Sequence, residues 1–74
     1  MKTKLYETRF AVTETLQDGK ERTIEKSVFS PMFRNGVPIT ESERVLKSIE
    51  ILKEEHYYKI KYIGTRTKTI LEME

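Results

Sequence analysis

TESERVLKSIEILKEEHYYKIKY, residues 40–62, is where the apolar spacing changes from that of a helix to that of a strand. Thr40-Glu41-Ser42-Glu43 has capping-box spacing: the Thr40 hydroxyl can accept from the Glu43 amide, and the Glu43 carboxylate can reach back to the Thr40 amide. At about 100° per residue, Val45, Leu46, Ile49 and Leu52 form one apolar stripe, with Glu43 and Lys47 paired at i,i+4 outside it. Ile51 lies roughly 150° from the centre of that stripe, which predicts an exposed aliphatic on a polar face. After Glu55 the period becomes two, with His56, Tyr58, Ile60 and Tyr62 alternating with Tyr57, Lys59 and Lys61. The spacing predicts a helix over 41–54 and a strand opening near His56. Either periodicity puts His56 on the buried side, where hydrogen bonds would satisfy it.

Downstream, Gly64-Thr65 fits a type II′ turn with glycine first. That turn would close a hairpin over 56–73, with Tyr62 opposite Thr67, Ile60 opposite Thr69 and Tyr58 opposite Leu71. The other face would then carry Tyr57, Lys59, Lys61 and Lys68. It sets Lys61 directly across from Lys68, a like-charge pair with a local cost.

Upstream of the helix, Tyr6, Phe10 and Val12 alternate with Glu7, Arg9 and Thr13, the pattern of a strand with one buried face. The turn at Asp18-Gly19 is selected by register. A two-residue loop would place Ile24 and Val28 on the wrong face, whereas a three-residue Gln17-Asp18-Gly19 loop with Gly19 left-handed sets Val12 opposite Ile24 and Thr8 opposite Val28. The hairpin is therefore predicted over 4–29. Over 30–39 the periodicity fails at Pro31, Asn35-Gly36 and Pro38, which predicts a loop. That loop is apolar, since Phe29, Met32, Phe33, Val37 and Ile39 fall in or beside it. Such side chains either cap the core or form an adhesive patch.

The fold class that follows is α+β: a small single domain over 1–74, of order β-β-α-β-β, with antiparallel hairpins packed against one amphipathic helix. Its core is thin, because a chain of 74 residues buries a small share of its surface. Leu, Ile, Val and Phe still supply 19 residues, which places the chain above the composition of disordered segments. With no cysteine there is no disulfide to supplement that core, and self-association is the supplement the sequence leaves open. A homodimer is the expectation.

Fourteen basic and twelve acidic residues leave a net charge of +2, so overall charge implies no strong attraction to nucleic acid or anionic lipid. No apolar run has the length of a membrane span or a signal peptide, and the expected location is cytoplasmic.

Catalysis finds little to work with. His56 is the only histidine, so a nucleophile would have one candidate base, and a zinc site would lack its ligands. The carboxylate pairs Glu54-Glu55 and Glu72-Glu74 read as solvated termini, and the isolated glycines form no phosphate loop. The expectation is a non-enzymatic module without cofactor, metal or small-molecule substrate. Its partner is a protein, met through Phe29, Met32, Phe33, Val37 and Ile51. The alternative is a nucleic-acid-binding regulator. Lys59, Lys61, Arg66 and Lys68 would neutralise phosphates there, with Tyr57 available to stack on an unpaired base.

Overall fold

The structure, a computed structural model, describes residues 2–71, with side chains over 3–70. Six elements follow one another: β1 (Lys2–Thr15), β2 (Glu21–Pro31), β3 (Phe33–Arg34), β4 (Val37–Pro38), α1 (Glu41–Glu54) and β5 (Tyr58–Leu71). β1 is the centre of an antiparallel sheet of order β2-β1-β5. β2 and β5 therefore run parallel to each other on either side of it, and α1 makes the crossover between them. The fold is a small α+β domain with one helix against an antiparallel sheet. No helix among the described residues is long and apolar enough to cross a membrane.

The first hairpin has the predicted register, with Val12 opposite Ile24 and Thr8 opposite Val28. Its loop spans Gln17, Asp18 and Gly19. The Leu16 amide donates to the Lys20 carbonyl at 2.7 Å, and the Gly19 amide to the Leu16 carbonyl at 3.0 Å. Gly19 takes φ of +83°, and the Asp18 carboxylate accepts from the Lys20 amide at 3.0 Å. Phe10 and Val12 are fully buried on the helix side of β1 and meet Leu52 from α1. Ile24, Val28, Val45, Ile49, Tyr57, Ile60 and Tyr62 pack around this centre. The Phe10 and Tyr62 rings stand tilted with centroids 5.6 Å apart, a favourable aromatic arrangement.

The predicted hairpin over 56–73 is replaced by a single strand. β5 runs through Gly64 without a turn, pairing Gly64 with Arg9, Lys68 with Leu5 and Lys61 with Ala11; residue 73 lies outside the described residues. Two bulges explain why the sequence resembles a hairpin. Ile63 is an extra residue between the Phe10–Tyr62 and Arg9–Gly64 pairs, and Lys59, at φ of 51°, sits between the Thr13–Tyr58 and Ala11–Lys61 pairs. Each bulge exchanges the faces of the residues that follow it. Thr67 thus shares the helix side with Tyr62 as it would in a hairpin, Thr65 joins them there instead of forming a turn, and Tyr58 moves to the outer side. The continuous strand also removes the Lys61–Lys68 opposition and gives the N-terminal half of β1 a second partner.

Three details of α1 differ from the periodic reading. Leu46 is 64% exposed, because it lies about 120° around the axis from Leu52. The helix instead seats Arg44, Ser48 and Leu52 inward, with Val45 and Ile49 half-buried. Thr40 does cap the helix, accepting from the Glu43 amide at 3.2 Å, but the Glu43 carboxylate turns outward to Arg34 and pairs neither with Thr40 nor with Lys47. His56 is exposed. It occupies the left-handed residue of a Schellman motif at φ of 70°, its amide donating to the Lys53 carbonyl at 3.0 Å and the Tyr57 amide to the Leu52 carbonyl at 3.1 Å. Backbone geometry therefore decides its position.

Gly64 has no positive φ and nothing within 4 Å of a Cβ built on it, unlike Gly19 at +83°. Gly64→Ala should therefore leave urea stability unchanged or raise it by up to about 1 kcal/mol, whereas Gly19→Ala should lower it by about 1 kcal/mol or more. A loss at Gly64 as large as that at Gly19 would place a turn there and refute the continuous strand.

Candidate interaction groove

The helix lies over β1 and β5 and leaves the helix-side positions of β2 partly open. A groove of about 320 Å³ runs between them, lined on the strand side by Val28, Phe29, Ser30 and Pro31 and on the helix side by Arg44, Lys47, Ser48 and Ile51. Phe33, Arg34, Ile39 and Glu43 close its end. The segment after β2 shapes this end. Asn35 and Gly36, with φ of 50° and 79°, turn the β3-β4 ladder, and the Ile39 amide returns to the Met32 carbonyl at 3.0 Å.

Of the five residues predicted for protein contact, Phe29, Phe33 and Ile51 line this one groove, although 22 residues separate Phe29 from Ile51 in the chain. Phe33 is 58% exposed and Ile51 41%. Met32 is half-buried and Val37 exposed, and neither lines the groove. The apolar loop thus divides between the two roles considered for it: Ile39 is buried, while Phe33 and Val37 face solvent.

Arg44, which the sequence did not single out, is the unusual group in the groove. The whole residue is 9% exposed, its guanidinium lies 4.0 Å above the centre of the Tyr6 ring, and one NH group donates to the Ile39 carbonyl at 3.0 Å. Its Nε and the Ser30 hydroxyl are buried without a hydrogen-bond partner, and no carboxylate among the described residues pairs with Arg44. An arginine one residue before an apolar stripe gives no hint of burial. The spacing of Arg44, Ser48 and Leu52, four residues apart, was the available signal.

The five residues of the nucleic-acid alternative do not form one face. Tyr57 packs against the core on the helix side, with the Lys26 ammonium 5.4 Å above its ring. Lys59 pairs with Glu21 at 3.4 Å, and Glu21 is held below its ordinary pKa by the Tyr58 hydroxyl and then by Lys59. Lys68 sits 5.3 Å above the Phe29 ring, and Lys61 is exposed opposite Ala11. Arg66 is bound to Glu7 by two hydrogen bonds, of 2.9 and 3.1 Å.

Glu7 is the central charge of the outer face. It is only 6% exposed, and Ser27 donates a further hydrogen bond at 2.8 Å. The Arg66 hydrogen bonds, followed by that of Ser27, hold its pKa at about 2 against the opposing effect of burial. The pair Arg9–Glu25 continues this ladder on the outer face, and Arg22–Glu14 lies on the opposite face, at the loop end of the first hairpin.

Because the folded-state pKa of Glu7 is depressed from 4.5 to about 2, its contribution is complete above pH 4.5 and disappears as pH falls through about 2. Thermal melts from pH 7 downward should show the midpoint falling across that window. Glu7→Gln should lower the midpoint at pH 7 and flatten the acid limb; an unchanged acid limb would remove Glu7 from the pH response.

No family model, curated protein or solved structure matches this chain.

Proposed function

We propose that this chain is a non-enzymatic cytoplasmic module that acts by binding protein, and that it self-associates as a homodimer. The observation that carries this reading is the groove between α1 and β2. There, Ile51 and Phe33 remain substantially exposed beside buried Ile39, in a chain whose core is small. An apolar surface of this kind is stabilised by a protein contact, and self-association supplements a core of this size. The free edge of β2 borders the groove and offers backbone groups to an added strand. The nucleic-acid reading draws less support, because Arg66 and Lys59 already have carboxylate partners.

Light scattering at low and high salt, with and without mixed-sequence single- and double-stranded DNA, separates the two readings. The expected result is a dimer that persists at high salt and ignores DNA, and that Phe33→Asp or Ile51→Asp shifts toward monomer with little change in thermal midpoint. Salt-sensitive DNA binding that Lys59→Glu, Lys61→Glu and Lys68→Glu together abolish would overturn it in favour of the nucleic-acid alternative.

A further inference from the structure

One flank of α1 has an order of its own, with Arg44 buried in its first turn and Lys47, Ile51 and Glu54 exposed. Arg44, Lys47, Ile51 and Glu54 recur at i, i+3, i+7 and i+10, the spacing of a helix-pairing seam, and fall within about 80° of one another around the axis. Arg44, Lys47 and Ile51 line the groove, and Glu54 follows one turn beyond Ile51. Along the stripe the chemistry runs base, base, aliphatic, acid. We propose that this flank is a self-complementary interface in which two copies set their helices antiparallel across a two-fold axis, each in the other's groove. Each copy's Glu54 then supplies the carboxylate that the other's Arg44 lacks. This rests on the reading of the chain as a homodimer and names the surface and the second copy as its occupant.

Three observations support that choice. The first is the unpaired charge: Arg44 is nine-tenths buried without a counter-ion among the described residues, a state that is costly until an anion arrives. The second is the groove's charge. Arg34, Arg44 and Lys47 face a single carboxylate, Glu43, which Arg34 already holds, so an acidic group entering the groove meets excess positive charge. The third is direction. A parallel partner would bring like residues together, whereas an antiparallel one sets Arg44 against Glu54 at both ends of the stripe. It also lays the Lys47 stem over Ile51 twice in the middle. Each contact then occurs in duplicate, as a two-fold interface requires.

A concentration series in the analytical ultracentrifuge tests the interface. Glu54 is exposed, so Glu54→Arg should leave the fold intact and raise the dimer dissociation constant at least about tenfold. Leu46→Asp, on the opposite flank, should leave it unchanged. The chain has no cysteine, which allows a geometric control. Oxidation of an equimolar mixture of the Lys47→Cys and Ile51→Cys proteins should yield a mixed disulfide dimer, and Glu54→Cys alone should yield none. A dimer indifferent to Glu54→Arg, or one that links through Glu54→Cys, overturns the inference while the homodimer reading stands. A wild-type chain that is monomeric at every concentration overturns both.

Discussion

β1 must satisfy backbone hydrogen bonds along both of its edges, and the placement of every other element follows from that requirement. A strand of 14 residues at the centre of a sheet exposes a donor and acceptor ladder on each side. β2 fills one side through a tight loop. The other side is filled by β5, which runs parallel to β2, and since a hairpin from β2 cannot deliver such a strand, the chain crosses over. α1 is that crossover. Its passage over Phe10 and Val12 buries the same face of the sheet that the strand pairing has assembled, and hydrogen bonding and apolar burial therefore specify one arrangement.

The parts legible in the sequence were those in which one local signal and one burial pattern agreed. Gly19 could take a left-handed φ, and only the three-residue loop put Ile24 beside Val12. Thr40 had the spacing of a cap that accepts from the Glu43 amide, and Ile51 stood outside any apolar stripe. The parts not legible were those decided by tertiary competition. Gly64 looked like a turn because a bulge at Ile63 shifts the alternation by one residue, as a turn also does. The sequence offered Glu43 two partners, Thr40 and Lys47, and only the folded loop brings it a third, Arg34. His56 followed the backbone of a helix terminus and not its own side-chain chemistry. Of the groove, Phe29, Phe33 and Ile51 were visible as isolated anomalies. Arg44 was not, because its burial depends on the Tyr6 ring, which belongs to β1 and is far from it in sequence, as well as on the Ile39 carbonyl.

The arginines of this fold fall into two environments, four paired with carboxylates and Arg44 not. On the outer face, Glu7 and Glu25 each meet an arginine from a neighbouring strand, while Lys61 and Lys68 make no ion pair among the described residues. Beside the helix, one guanidinium is buried against an aromatic ring without a carboxylate. Composition counts both sets of arginines alike; geometry separates charges already used from one still available.

The pairing of Lys2 with Leu71 joins positions 69 residues apart in the sequence, 71 less 2. During synthesis, β1 and β2 can meet early, but the second edge of β1 must wait until β5 has been made. Until then the central strand is itself an edge strand, with Phe10 and Val12 uncovered by Leu52 in any intermediate that lacks the docked helix. Long-range pairing of this kind slows folding and lengthens the interval in which a chain can pair with a neighbour instead of with itself. The same topology that gives the mature sheet its well-protected centre makes that centre its most vulnerable strand during folding.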